Sequence, residues 1–313
     1  MEMVRLSHDS MTEDLALEPS VTAVGFFDGI HKGHQKVIGA AKEKARELGL
    51  KCAVMTFDPH PSVVLKKGKQ QAHYITPLSE KEDILESLGV DYLFVITFNT
   101  SLATLSPQQF VDDFFVGLKI KHVVAGFDFS YGHKGKGSME DLPKYARGRF
   151  SQTVIPKVEK NEEKVSSTRV RTLLDKGEVD KANDLLGRSY SVKGIVGKGD
   201  QRGRTIGYPT ANVEIKENYY LPKVGVYAVQ VQYDGEQYYG MANLGYKPTF
   251  VKEAEKPSLE VHLFDINKDL YNQSLTVFFL QLIRDEKKFE GVAQVKEQLE
   301  HDEAHIREFF RIG

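Results

Sequence analysis

The densest chemistry in this chain lies in Gly25-Phe26-Phe27-Asp28-Gly29-Ile30-His31-Lys32-Gly33-His34. Its glycines let a backbone approach a ligand closely, and the unpaired N–H groups of a helix start attract anions. A His-x-Gly-His pair there adds two further donors, so the stretch is suited to gripping a phosphate. A plain strand-to-helix turn carrying two surface histidines would look the same. A zinc site would need a third ligand, which no nearby spacing supplies.

Three other polar stretches could converge on it. Phe57-Asp58-Pro59-His60-Pro61 has prolines that stop a strand and stiffen the loop after it. Gly126 to Gly137 mixes aromatics, Asp128 and glycines, which suits a flat aromatic ligand beside phosphates; a flexible surface loop is the alternative. It is not a Walker A loop, because no lysine follows Gly137. Ser166-Ser167-Thr168-Arg169-Val170-Arg171 opens a helix with three capping side chains and two cations, a second anion site or simple capping.

A separate group lies further on. Gly194 to Asn212 carries five glycines up to Gly207, among them Gly197 and Gly203, with Lys198, Arg202 and Arg204, enough to wrap an anion. Thr210 and Asn212 alternate around Ala211, so on a strand they share a face, and their oxygens are hard donors suited to Mg²⁺ on nucleotide phosphates. Glu260 and His262 alternate with apolar residues in Leu259 to Asp265. A carboxylate in reach of a substrate hydroxyl can act as general base for phosphoryl transfer, although a strand glutamate is more often simply solvated.

The elements that must position these groups differ between the two halves. From Val21 to Val158 strand-like runs (21–24, 51–57, 91–98, 121–125, 153–158) alternate with helix-like ones, which predicts a parallel sheet wrapped on both faces. Ligands bind beyond the carboxyl ends of such strands, where the opening motif falls. The first helix is expected over 35–49, the second from Thr76 as N-cap with Pro77 at its first position, a third from the Ser106-x-x-Gln109 capping box, and a fourth capped by Ser138. The first 15 or so residues, and Glu214 to Pro222, carry no recognisable motif.

A helical stretch over 170–186, broken at Lys176-Gly177, connects to a β-rich half. Runs at 190–196, 225–233, 236–243, 259–264 and 275–283, with a hairpin signal at Asp234-Gly235, predict a small antiparallel barrel. A closing helix over about 288–310 should present Phe289, Val292, Val295, Leu299, Ile306 and Phe309 as its apolar face. His301 and His305 lie on it without the Glu of a metalloprotease motif and are expected at the surface.

Composition sets the outer limits. The 313 residues suffice for about two domains, and 41% hydrophobic with 27% charged residues describes an ordinary globular chain. A net charge of −2 gives no overall pull to nucleic acid or anionic membrane. Cys52, the single cysteine, can form no internal disulfide, which favours the cytosol, and is expected as a small core residue. No secretory signal or spanning run is visible, and nothing specifies an oligomeric state. The expected location is cytoplasmic.

In order, Gly-x-Phe-Asp-Gly-x-His-x-Gly-His, the Asp-Pro-His-Pro loop, Gly-x-Asp-Phe-x-Tyr-Gly and Ser-Ser-Thr-x-Val-Arg resemble the adenylyltransferase module of prokaryotic FAD synthetases. Gly-x-x-x-Gly-Arg-x-x-Gly-x-Pro-Thr-Ala-Asn, Gly225-Val226-Tyr227, Asn243 to Thr249 and the Glu260 segment resemble riboflavin kinase. The whole chain is thus similar to the bifunctional FAD synthetase family. That resemblance implies a Rossmann-like α/β nucleotidyltransferase domain, residues 1–186, followed by a six-stranded antiparallel β-barrel kinase domain with a C-terminal helix, residues 187–313.

It further implies riboflavin, FMN and ATP as small-molecule substrates, FAD as product and Mg²⁺ as cofactor, with neither nucleic acid nor membrane as partner. His31 and His34 would stabilise charge on the triphosphate, with Ser167, Thr168 and Arg171 on the leaving phosphates. Gly25, Phe27, Asp28, Gly33, Asp58 and His60 would line the same site, and Asp128 would hold the isoalloxazine ring. In the second domain Gly197, Lys198, Gly203, Arg204, Gly207, Pro209 and Asn243 would bind the ligands, Thr210 and Asn212 would lie near Mg·ATP, and Glu260 would activate the 5′-hydroxyl of riboflavin. A monofunctional enzyme with one intact site, or a flavin-binding sensor without chemistry, are the alternatives.

Overall fold

The computed structural model describes residues 1–10, 16–65, 71–199, 202–246, 257–266 and 268–312, and forms two compact units, Met1–Ser167 and Thr168–Gly313. The first unit is built on strands β1 (Glu2–Leu6), β2 (Ser20–Val24), β3 (Lys51–Asp58), β4 (Tyr92–Thr97), β5 (Ile120–Gly126) and β6 (Ser151–Ile155). They form one sheet in the order β1-β4-β3-β2-β5-β6, with every neighbouring pair parallel. After β2 the chain adds β3 and β4 on one side, then crosses to the other for β5 and β6. The reversal opens a crevice at the carboxyl end of β2, where ligands of such sheets bind.

Both faces are covered, as the alternating pattern requires. Ala53 and Met55 point into one core with Phe94, Phe110, Phe114 and Phe115, while Cys52 and Val54 point into the other with Val21, Ile38 and Leu85. Burial pushes the Cys52 thiol up to about 11, consistent with an inert core position.

Local chemistry moves several element ends from where the sequence pattern puts them. Helix α1 spans Lys32–Leu48, three residues earlier at its start than expected, because His31 caps it: the His34 N–H donates to His31 Nδ1 at 3.2 Å. His34 therefore stands in the first helical turn rather than in the loop. Helix α2 spans Leu78–Ser87 with Pro77 as N-cap and no side-chain cap. Thr76 is not the cap; its N–H donates to Asp28 Oδ1 at 3.1 Å instead. The Ser106–Gln109 capping box is present and starts a short helix, Pro107–Phe110, continued by a π-helical turn over Val111–Val116. Ser138 lies on a two-residue strand, and the helix after it, Leu142–Ala146, takes Asp141 as N-cap. Strand β1 was not legible, since it carries only five residues, of which Leu6 alone is buried.

The second unit begins with α3 (Ser167–Lys176, counted from its second residue) and α4 (Val179–Leu186), separated at Gly177 as the sequence break predicts. Asn183 on α4 accepts from the Tyr190 N–H at 2.6 Å and donates to the Phe279 carbonyl at 2.8 Å. Strands β7 (Tyr190–Gly197), β8 (Ala211–Ile215), β9 (Gly225–Tyr233), β10 (Glu236–Tyr246), β11 (Pro257–Leu263) and β12 (Ser274–Arg284) close a barrel in the order β7-β8-β11-β10-β9-β12, antiparallel throughout. Asp234 and Gly235, both at positive φ, join Tyr233 to Glu236 in the expected two-residue hairpin.

Helix α5 spans Val292–Phe310 and lays Leu299, Ile306 and Phe310 against Tyr208, Val226, Met241 and Phe264 of the barrel. Its apolar face is narrower than predicted. Phe289 precedes the helix, Val292 and Phe309 are exposed, and the buried face includes Asp302. Asp302 is accommodated because Arg284 Nε reaches both its oxygens at 2.9 and 3.1 Å. His301 and His305 are exposed as expected.

Candidate active sites

At the carboxyl end of β2 the chain turns through Phe27, Gly29 and Ile30, all at positive φ, before α1 begins. Two of these are not glycine, so the turn is strained and must be held by its surroundings. Asp28, buried, anchors it by accepting from the Thr76 N–H, and its carbonyl accepts from Ser167 Oγ at 2.8 Å. The His31 and His34 rings stack at 3.6 Å between centroids, and Phe27 packs edge-on against His34 at 5.3 Å. A Cβ on Gly33 would lie 3.1 Å from the His31 ring and 3.5 Å from the Val165 carbonyl, so the absence of a side chain is what admits this approach. A Cβ on Gly25 would press on the Phe27 ring at 3.0 Å.

The loop after β3 meets the same turn. His60 packs edge-on against Phe26 at 4.4 Å, and its Nδ1 accepts from the Ser62 N–H at 3.0 Å. Asp58 lies at the end of β3, 3.9 Å from Arg5. Asp28, His31, His34, His60 and Ser167 are thus brought to one strand-end crevice. Asp128 stands apart from these contacts: Lys164 Nζ pairs with it at 2.5 Å and sits 4.8 Å over the exposed Phe127 ring. Its loop is not an irregular surface loop. Ser130–Tyr131 pairs with Gly137–Ser138, and Tyr131 is buried among Phe110, Phe115, Phe129 and Tyr145. Thr168 and Arg171 continue α3 in the second unit, where the Arg171 guanidinium lies 5.3 Å over the Tyr220 ring.

The barrel gathers the second set. Register places Asn212 opposite Glu260 and Glu260 opposite Asn243, so three polar side chains form one row across β8, β11 and β10. A cavity of about 720 Å³ opens beside this row, lined by Gly203, Thr210, Asn243 and Glu260 and walled by Tyr208, His262, Arg284 and Phe289. A second cavity, about 420 Å³, is lined by Arg204, Pro209, Lys268 and Tyr271, and Thr210 lines both. Thr210 precedes β8 rather than lying on it, so its side chain is not bound by the strand alternation expected with Asn212.

Glycines bring this loop into close contact with its neighbours. A Cβ on Gly199 would fall 1.9 Å from the Asn212 amide, one on Gly197 2.1 Å from Glu214, and one on Gly203 2.1 Å from the Tyr208 carbonyl. Gly207 has φ +88°. Lys198 ends the β7 side of this loop. The Arg202 side chain and Lys247-Pro248-Thr249 lie outside the described residues.

The similarities agree with this two-site geometry. Residues 14–169 match the family model described as FAD synthetase, and residues 186–310 match that described as riboflavin kinase. A Listeria monocytogenes protein called bifunctional riboflavin kinase/FMN adenylyltransferase is 47% identical over 99% of this chain and 98% of its own length. The chain belongs to this family. A Bacillus subtilis relative with the same name is 46% identical over 99% of this chain and 98% of its own length. A Streptococcus pneumoniae crystal structure described as a macrolide-efflux protein shares the fold over 98% of this chain and 99% of its own, with TM-score 0.89 and 36% identity. Among the described residues here, no helix is long and apolar enough to cross a membrane.

For a member of the bifunctional family, the sequence reading passed over four wall residues of the larger cavity. Tyr208 and Arg284 carried no local signal of a cavity, and Phe289 only that of a helix face, because strand pairing and the α5 contact bring them together. His262 did carry one, two residues from Glu260 on the same strand face; its Nδ1 lies 2.7 Å from the Pro209 carbonyl and its ring packs against Tyr208 at 5.1 Å. Among the described residues no three His, Cys, Asp or Glu side chains group as a metal cage. Thr210, which lines both cavities, and Asn212, opposite Glu260 in register, offer hard oxygens, which fits a cation that completes its shell from phosphate oxygens and water.

Proposed function

We propose that the chain runs two consecutive reactions, with kinase activity carried by residues 187–313 and adenylyl transfer by residues 1–186. In the barrel, riboflavin occupies the larger, mostly apolar cavity and ATP the smaller one, so that the acceptor hydroxyl and the γ-phosphoryl meet at Thr210. Glu260 takes the proton of the 5′-hydroxyl as it attacks phosphorus, and ADP leaves. Mg²⁺, held by Thr210 and Asn212 together with phosphate oxygens, would neutralise developing charge. Asn212 and Asn243, flanking Glu260 in register, hold its orientation. Gly197, Lys198, Gly203, Arg204 and Gly207 line the phosphates.

In the first unit the FMN phosphate attacks the α-phosphorus of a second ATP and pyrophosphate departs, giving FAD. The nucleophile is already anionic, so neither a general base nor a covalent intermediate is needed, and rate comes from positioning and charge stabilisation. His31 and His34 donate to the triphosphate from the crevice at β2. Ser167 acts on the leaving phosphates, and Asp128 contacts the flavin ring. Riboflavin, FMN and ATP are its partners, in the cytoplasm.

The observation that carries this reading is the Asn212–Glu260–Asn243 row opening onto a cavity that shares Thr210 with a second cavity. Incubation of the purified chain with riboflavin and Mg·ATP, followed by chromatography of flavins, tests it. FMN then FAD is the expected sequence of products. Unchanged riboflavin refutes the kinase assignment, and FMN without FAD refutes the transferase assignment.

A further inference from the structure

One charged group sits inside the first unit without a role in the steps above. Lys81, on α2, is only 4% exposed. Its Nζ donates to the Phe26 carbonyl at 2.8 Å and to Thr56 Oγ1 at 3.0 Å, and lies 4.8 Å from the centroid of the Phe26 ring. Thr56, fully buried on β3, itself donates to the same Phe26 carbonyl at 2.8 Å. The three groups close a triangle linking the ends of β2 and β3 to α2.

A buried ammonium is costly, and this one is not needed to satisfy the backbone, because the Thr56 hydroxyl already serves the Phe26 carbonyl. The carbonyl it grips is the last backbone group before the strained run at Phe27, Gly29 and Ile30, from which His31 and His34 follow. Such conformations persist only where the surroundings over-determine them. Asp28 and Asp58 are the carboxylates that attract the Lys81 charge, and both stand where a triphosphate is to bind. The cation therefore offsets like charge behind an anion site while clamping the base of its turn.

We propose that Lys81 is a positioning residue of the adenylyl-transfer centre, holding the Phe26 carbonyl so that the following turn presents His31 and His34 in working geometry. This rests on the reading of that crevice as the transferase site. The signal in the sequence is a lysine on the apolar face of α2, in register with Leu78 and Leu85.

The test uses the full chain and three variants: Lys81→Met, Thr56→Val and the double substitution. With saturating FMN and Mg·ATP, Lys81→Met should lower kcat for FAD formation ~100-fold, as expected for a misplaced reacting geometry, while KM for FMN stays within about twofold. Thr56→Val removes one corner of the triangle and should cost ~10-fold. The double variant should be no worse than Lys81→Met alone, because both act through one carbonyl. Riboflavin phosphorylation, measured in the same preparations, should not change.

A kcat within about threefold of wild type in Lys81→Met, or losses that multiply in the double variant, would overturn the proposal. If Lys81→Met loses folded first-unit signal, Thr56→Val decides: a lowered kcat at unchanged thermal midpoint supports the clamp, and an unchanged kcat overturns it. Wild-type chain that makes FMN but no FAD would instead remove the transferase reading itself, so the two failures are distinguishable.

Discussion

Asp302 offers the clearest energetic test of how the kinase cavity is walled. It is 3% exposed on α5 and meets Arg284 through Nε at 2.9 and 3.1 Å and through Nη2 at 2.8 Å, with Gln298 Nε2 donating at 2.8 Å. Removing the carboxylate leaves Arg284, 14% exposed at the cavity wall, without its counter-charge. Breaking a buried pair in this way costs roughly 3–5 kcal/mol. Arg284 keeps a bond from Nη1 to the Asp285 carbonyl and lies 5.8 Å from the Phe289 ring centroid, so the low end, about 3 kcal/mol, is expected. With a urea slope of about 1–3 kcal/mol/M, the transition of the second unit should fall by about 1–3 M in Asp302→Ala. Because Arg284 and α5 wall the larger cavity, KM for riboflavin should rise in the same variant. Replacing both partners, Arg284→Met with Asp302→Leu, should recover stability to within about 1 kcal/mol, since an apolar pair avoids the desolvation cost. An Asp302→Ala midpoint unchanged within error, or a double variant less stable than the single, would refute the reasoning.

Glu260→Gln should lower riboflavin phosphorylation by ~10²- to 10⁴-fold while FMN is still converted to FAD; persistent kinase activity removes Glu260 as base. His34→Ala should do the reverse, lowering FAD formation from FMN by ~10²-fold or more with the kinase intact, as separate-substrate assays would show. Gly199→Ala drives a methyl into the Asn212 amide and should raise KM for Mg·ATP in the kinase reaction by more than about tenfold, whereas Gly291→Ala, with nothing within 4 Å, should leave it unchanged. Burial pushes the Lys81 ammonium down to about 8 from its ordinary 10.5. Between those values the unfolded chain holds a proton that the folded one has lost, so this group makes stability rise with pH across that window, by about 3 kcal/mol in all. Lys81→Met should abolish that rise in urea titrations of the first unit; an identical pH slope in both proteins would show that burial does not lower the affinity of this lysine for its proton.

Much of the architecture was legible because it is written in short-range patterns. Alternating apolar runs and helical spacing suffice for a parallel sheet, since its four central strands, β2 to β5, are buried on both faces and continuous in hydrophobicity. The Asp234-Gly235 turn and the Lys176-Gly177 break needed only local backbone chemistry. The failures share a cause as well. Strand β1 has one buried residue and is recruited by its pairing with β4, a partner about ninety positions away. Thr76 and Ser138 have capping side chains, yet tertiary contacts claim their surroundings: Asp28 takes the Thr76 N–H, and the short Ser130–Tyr131 pairing holds Ser138.

The sites divide along the same line. Residues whose type and spacing both carry meaning, such as His31 with His34 or Thr210 with Asn212, were visible at once. The neighbours that register gives them were not. Asn243 and Asn212 are far apart in sequence, and only the β10-β11-β8 pairing sets them on either side of Glu260. Arg284 and Phe289 line the cavity because α5 returns over the barrel and Asp302 reaches the guanidinium. Lys81 and Asp302 make the sharpest cases, because each is a charge placed on the apolar face of a helix. Periodicity alone reads such a residue as an interruption of the core pattern. Structure shows a buried charge with its partners, and since burying it disfavours folding, the partners it meets are where a functional reason should be sought.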